Sequence, residues 1–291
     1  MANAAKLAAN PAVRMLLMGY PGAGKTGSLA SLANAGFKLR ILDFDGNPES
    51  LILHTEPDKL QNIDIMSFED PLKEKSGHVG PDGLPKAFAN ALKAMDHWKY
   101  VDDDGTEVDL GQSKDWGPDT VVVLDGLTGL GKAAMRRAQA VMNKTPLNTT
   151  QAVWGLAIAD QEAFIEKLTS AANRFHFVCI SHLKMVGPKD IGSGDMDLTR
   201  EIKMQQAELV PTRLYPSALG WALPQTIGQH FPVIVSISVE VRGKSVRRQF
   251  AVSPRQDMDL KMPSKAELGE LGVENGLLRI FEALGAKPPK T

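Results

Sequence analysis

The stretch VRMLLMGYPGAGKTGSLASLANAG covers residues 13 to 36. Its first part, Val13 to Met18, is a short apolar run of the kind that forms a buried strand, and the residues after Thr26 read as a helix closed by Gly36. Between them, Gly19-Tyr20-Pro21-Gly22-Ala23-Gly24-Lys25-Thr26 matches G-x-x-x-x-G-K-[ST] in full. Strand, glycine loop and helix in that order are the context in which this pattern cradles phosphates. The glycines let backbone N–H groups curl around phosphate oxygens, and the helix N-terminus adds positive potential. Lys25 would reach the outer phosphates and the Thr26 hydroxyl would ligate magnesium, so Gly19 through Gly27 form the candidate nucleotide contact.

Three further segments share the apolar-strand-then-polar-tip pattern. Val121-Val122-Val123-Leu124 is followed by Asp125, the arrangement that holds magnesium from the side opposite the loop in phosphate-loop NTPases. Leu39 to Leu42 ends in Asp43-Phe44-Asp45-Gly46, and Glu49 follows closely; hydrolysis needs a base or water-positioning group, and Asp45 is the first choice among these three carboxylates. Phe175 to Ser181 is a buried-type strand ending at His182, which is placed to donate to a terminal phosphate. Ile63 to Met66 is a further strand candidate.

Helical spacing over 84 to 98, 127 to 143 and 151 to 172 alternates with these strands, and 101 to 108 reads as a hairpin with a polar turn. Alternation of this kind predicts a mostly parallel sheet with ligands at the carboxyl ends of its strands. Val233 to Glu240 and Val246 to Val252 form a hairpin around Arg242-Gly243-Lys244, and residues 263 to 291 suggest a helical tail. Nothing along the chain forces a second domain, so residues 1 to 291 are read as one unit with a core of about 13 to 262. The segment 184 to 213 is long, polar and glycine-bearing, with Lys184, Lys189, Arg200, Lys203 and Arg213 set among five acidic residues.

Composition narrows the classes. The 291 residues are 43% hydrophobic and 23% charged, ordinary for a globular chain. With 33 Lys+Arg against 34 Asp+Glu, any nucleic acid must be held by a local basic patch and not by bulk charge. One cysteine, Cys179, precludes an internal disulfide, and no Cys or His spacing suggests zinc. No apolar run approaches the roughly 20 residues of a spanning helix, and the start does not read as a signal peptide, so a cytoplasmic location without membrane attachment is expected.

Taken in order, GYPGAGKT, ILDFDGN, DTVVVLDGLTGL and FVCISHL resemble the RecA-like ATPases, and most of all the phage single-strand annealing ATPases of the Sak-four group, over about 13 to 262. The resemblance implies a RecA-like P-loop fold: a mostly parallel core sheet flanked by helices, with a C-terminal antiparallel hairpin. It implies an ATP hydrolase with ATP and Mg2+ as cofactors, acting on single-stranded DNA in phage recombination or replication inside the host cell. It implies self-association into a ring or filament, and a phage or host single-strand-binding protein as a partner. It places the catalytic base in the Asp43 and Asp45 pair, where this chain has aspartate in place of the group's usual glutamate. It makes His182 a γ-phosphate sensor, Lys261 the basic residue that completes a neighbouring subunit's site, and the 184 to 213 loop, with Lys184, Lys189, Arg200 and Lys203, the face toward DNA. Two other classes stay open on the residues themselves: a P-loop kinase of a nucleotide or small molecule, with Arg200 and Arg213 on a lid, and a nucleotide-switched assembly protein with little turnover.

Overall fold

The computed structural model describes residues 12–75, 78–102, 104–186, 213–242, 245–263, 268 and 270–289. In chain order the strands are β1 (Arg14–Gly19), β2 (Lys38–Asp43), β3 (Ile63–Ser67), β4 (Leu72–Lys75), β5 (His78–Pro81), β6 (Lys99–Val101), β7 (Glu107–Asp109), β8 (Thr120–Asp125), β9 (His176–Val186), β10 (Arg213–Pro216), β11 (Val233–Arg242) and β12 (Ser245–Ala251). The helices are α1 (Lys25–Ser28), α2 (Ala30–Asn34), α3 (Glu49–His54), α4 (Ala87–Asp96), α5 (Leu127–Val141), α6 (Gln151–Thr169), α7 (Leu223–Thr226) and α8 (Gly276–Ala283).

The main sheet runs β12-β11-β1-β9-β8-β2-β3. All its pairings are parallel except the terminal β11–β12 hairpin, and β10 adds an antiparallel partner to the far end of β9. This is the mostly parallel sheet with a C-terminal antiparallel hairpin expected from the sequence, with one strand, β9, between the glycine-loop strand and the strand of Asp125.

Alternation along the strands divides the core in two. Leu16, Met18, Val122, Leu124, Phe177 and Cys179 face α4, α5 and α6, together with Phe88, Leu130 and Phe164. Their neighbours Met15, Leu17, Val121, Val123, Val178 and Ile180 face the other layer, where Leu32, Phe37, Leu277 and Phe281 pack. Successive side chains of a strand point to opposite faces, so a sheet covered on both sides shows unbroken apolar runs. That is why VVVL and MLLM carry no polar alternation.

Several boundaries differ from the sequence reading. The helix after Thr26 is broken at Leu29 into α1 and α2, and Gly36 beyond it adopts φ 94°. The β4–β5 hairpin and β10 carry no strong periodic signal and were not expected; short strands stabilised by cross-strand contacts rather than by a covered face leave little pattern. Of the expected C-terminal tail, α8 is the helical part among the described residues, and 264 to 267 lie outside them.

A buried histidine pins the start of β1. The Val13 N–H donates to His176 Nδ1 at 2.9 Å, and His176 Nε2 lies 2.9 Å from the Pro118 carbonyl, so the ring is neutral with its proton on Nε2. Phe37 and Phe281 pack against it at 5.7 and 5.2 Å between centroids. Burial holds its pKa down at about 4. The unfolded chain therefore takes up this proton more readily than the folded one. Stability should fall as pH drops from about 6.5 through 4, by up to about 3 kcal/mol from this group. Urea midpoints measured across that range would show it, and His176→Asn, less stable at pH 7, should show a shallower slope.

Candidate active site

Parallel register aligns the strand tips. Gly19 stands opposite His182 on one side and Ile237 on the other, while Asp125 stands opposite Asp43 and Ile180. The glycine loop, Asp125 and His182 therefore meet at one edge of the sheet and line a cleft of about 1140 Å3, with Asp43 buried beside Asp125.

In the loop, Gly22 and Gly24 adopt φ of 74° and 93°, which side-chain-bearing residues rarely reach. Lys25 is buried, and its ammonium donates to the carbonyls of Gly19 and Tyr20, each at 3.0 Å. It also lies 3.4 Å from His182 Nδ1. Burial lowers its pKa, and the charges of Asp125 and Asp45 counter the effect. The Thr26 hydroxyl donates to Asp125 Oδ2 at 2.8 Å. Burial pushes the Asp125 carboxyl up to about 6; the Thr26 hydrogen bond opposes this, and the neighbouring charges of Asp45 and Asp43 add to it.

The three candidate carboxylates occupy different places. Asp43 is buried and fully engaged: Oδ1 accepts from the N–H groups of Asp45 and Gly46 at 3.0 and 2.8 Å, and Oδ2 accepts from Ser67 Oγ at 3.1 Å. It shapes the turn after β2. Glu49 is exposed at the start of α3 and does not line the cleft. Asp45 does line it, resting on the bare backbone of Gly126, where φ is 112° and a Cβ would come within 2.3 Å of Oδ1. Asp45 Oδ2 lies 3.6 Å from His182 Nε2.

The tautomer of His182 follows from its neighbours. An ammonium only donates, so Nδ1 accepts from Lys25 and Nε2 carries the proton, directed at Asp45. Burial first and the Lys25 charge second hold the imidazole below its ordinary pKa, with Lys132 adding and Asp45 opposing. Beyond His182 the strand leaves the parallel sheet, and Leu183 to Val186 pair antiparallel with β10. The chain returns to the histidine itself: the Ser217 N–H lies 2.8 Å from the His182 carbonyl and 2.9 Å from Ser181 Oγ, and Thr128 Oγ1 donates to the Ser217 carbonyl at 3.2 Å.

Sequence reasoning missed the wall opposite α3. Arg248 on β12 donates from Nε to the Gly22 carbonyl at 3.3 Å, and its Cδ and Val273 Cγ1 both stand 3.3 Å from where a Gly24 Cβ would be. Gln249 and Glu274 line the same side, and His54 packs on Gly27 from α3. The basic RGKSVRR stretch was a signal, but only the β12 register and the Gln249–Gly272 bridge bring it onto the loop. Lys261 does not enter this cleft. It bridges Ile234, three residues before the sheet edge and so about 10 Å from it, and its ammonium donates to the Gly228 carbonyl at 3.0 Å. Lys184 is exposed on β9, and Lys189, Arg200 and Lys203 lie outside the described residues.

A divalent cation fits the donor set on one side. Thr26 Oγ and the Asp125 carboxylate converge at the cleft, and the high Asp125 pKa reflects a buried negative charge that a cation would relieve. Among the described residues no three His, Cys, Asp or Glu side chains cluster as a metal site. Magnesium held by one or two protein oxygens plus phosphates suits that sparse set.

No protein-family model matches the chain, and no curated protein matches it. Among solved structures it is similar to a KaiC-like protein from the hyperthermophilic archaeon Pyrococcus horikoshii OT3, with a TM-score of 0.37 and 10% identity over 91% of this chain and 87% of that one. It is also similar to the flagellar accessory protein FlaH from Methanocaldococcus jannaschii, with a TM-score of 0.32 and 8% identity over 82% and 76% of the two chains. Among the described residues no helix is long and apolar enough to cross a membrane.

The Asp125 carboxyl titrates near 6 when folded and near 3.8 when unfolded, so keeping it ionised costs stability that grows between those pH values and is full above them. Asp125→Asn should therefore raise the melting temperature at pH 7.5, by the equivalent of up to about 2–3 kcal/mol, and the gain should vanish below about pH 4. The same variant should lose magnesium-dependent nucleotide binding, read by calorimetry with and without the cation.

Proposed function

We propose that the chain is a magnesium-dependent ATPase of RecA-like type that acts on single-stranded DNA in phage recombination or replication and works as a ring or filament. The observation that carries the hydrolase reading is the convergence of Lys25, Thr26, Asp125, Asp45 and His182 at one sheet edge. A binding-only site needs the first three; the paired Asp45 and His182 supply groups for attack and for sensing.

Lys25 and the loop N–H groups hold the phosphates and offset their charge. Thr26 and Asp125 would hold magnesium, which when bound would neutralise negative charge developing in the transfer. Asp45 accepts a hydrogen bond from the attacking water. As the water oxygen bonds to the γ-phosphorus, the bond to the β,γ-bridging oxygen breaks, ADP leaves, and the water's proton passes to Asp45. His182 Nε2–H is a donor for the γ-phosphate, and its carbonyl grips Ser217, so loss of that phosphate is felt where β10 ends. Resemblance supports the DNA substrate and the trans role of Lys261; its side chain is exposed and outside its own cleft, as that role requires.

The test is ATP hydrolysis by the purified protein with and without single-stranded DNA at two salt concentrations. DNA should stimulate turnover and the effect should fade with salt, because phosphate contacts release counterions. Lys25→Ala should abolish turnover, and Asp45→Asn should lower kcat by roughly 10²- to 10⁴-fold with little change in KM. Lys261→Ala should lower turnover while leaving protomer nucleotide affinity intact; equal loss of affinity overturns the trans role. ADP release that depends on a small acceptor and ignores DNA overturns the proposal in favour of a kinase.

A further inference from the structure

Two of the four tryptophans, Trp154 and Trp221, are exposed among the described residues. Trp98 and Trp116 are buried, 0% and 9% exposed, with rings 5.8 Å apart between centroids. Trp154 and Trp221 are 43% and 40% exposed. Burial of an indole is the usual outcome, and exposed pairs are associated with recognition.

The fold brings this second pair to one face. Trp154 lies on α6 one turn before Ile158, and residues four apart share a helix face. Gly220, next to Trp221, is pressed onto that turn: a Cβ there would stand 2.7 Å from Ile158 Cδ1. Leu219 is anchored beside it, its N–H donating to Gln161 Oε1 at 2.9 Å and its side chain packing with Ala138, Val153 and Ala157. Gly131 of α5 abuts the same leucine, with a Cβ position 2.9 Å from Leu219 Cγ, and Lys132 is the next residue along α5.

Charge along the chain through α5 and into α6 is one-sided. From residue 126 to 159 the chain has no Asp or Glu, yet it carries Lys132, Arg136, Arg137 and Lys144, in a protein whose acids and bases are otherwise nearly equal. Arg137 pairs with Asp160, and Arg136 lies 3.7 Å from Asp70. Lys132 and Lys144 are exposed and make no ion pair among the described residues, and the same holds for Lys184 on β9. Glu162, the next acid of α6, faces His230 at 3.3 Å.

Exposed indoles on elements next to ones that carry unpaired cations suit a ligand with flat π-surfaces on an anionic thread. We infer that Trp154 and Trp221 form a stacking platform for the bases of a single-stranded nucleic acid, with Lys132, Lys144 and Lys184 meeting its phosphates. Stacking of this kind tolerates any base sequence, because every base has a π-face. The platform rests on the single-strand reading above and locates it on α5, α6 and the return from β10. Leu219 and Ser217 belong to one short stretch, so the platform is tied directly to the His182 carbonyl.

The buried Trp98 and Trp116 make the test selective, since only the exposed pair can be quenched by stacking. The full-length protein is titrated with a deoxythymidine oligomer while tryptophan emission is followed, and DNA-stimulated ATP hydrolysis is measured in parallel. The wild type should be quenched. Trp154→Ala and Trp221→Ala should each lose part of the quenching and bind roughly 5- to 100-fold more weakly, with basal hydrolysis unchanged. Lys144→Glu should weaken binding and reduce its salt dependence. No DNA binding by the wild type overturns this inference and the DNA reading together. DNA binding and stimulation that are undiminished in both tryptophan variants overturn the platform alone. Loss of self-association in the variants, with DNA affinity intact, overturns it in favour of a second copy of the chain on this face.

Discussion

Parallel register is the constraint on which the site depends. In the parallel sheet the last paired residues of β1 and β9 are Gly19 and His182, opposite each other, and those of β8 and β2 are Asp125 and Asp43, also opposite each other, with Asp125 level with Ile180 two residues before the histidine. A slip of one residue would move every apolar side chain of a strand to the opposite face. Here both faces are dense cores, so a slipped strand would exchange partners in two layers at once. The same packing that stabilises the sheet thus holds these strand tips at one edge, where Asp125 and His182 line the cleft.

Around those tips the electrostatics are deliberately unfinished. Lys25 and Asp125 are both buried, each with its charged form disfavoured by burial and each relieved by the other's charge. His182 stays neutral beside them because burial and the Lys25 charge disfavour imidazolium. Such a constellation is poorly satisfied by protein alone. An anion on the lysine side and a cation on the aspartate side would complete it, and a metal-bound nucleoside triphosphate brings both.

Strand β9 joins this chemistry to a distant face. Its first residues are core sheet, its middle carries His182, and its end pairs with β10 outside the parallel sheet. The return through Ser217 and Leu219 is bonded to His182, Thr128 and Gln161, residues on β9, α5 and α6. The His182 end of the cleft is therefore joined by a short run of hydrogen bonds to the segment that leads into Trp221. Gln161, fully buried, also takes the Leu127 carbonyl at 2.7 Å, so the same side chain links the helix after Asp125 to this return.

Local pattern sufficed for much of this. The eight-residue glycine loop, the apolar runs ending at Asp43, Asp125 and His182, and the hairpin of β11 and β12 were legible because each is encoded in consecutive residues: turn glycines, β-branched runs, a polar tip. Those signals determined the fold class and the glycine-loop side of the candidate site. They did not rank Asp43, Asp45 and Glu49 by geometry, since three nearby carboxylates look alike until hydrogen bonds show Asp43 spent on its turn and Gly126 making room for Asp45. Nor did they place Arg248 on Gly22, more than two hundred residues away, or bring Trp154 and Trp221 together across Ile158. Contacts between remote segments depend on register and packing shared by the whole sheet, and these exist only once the chain has folded.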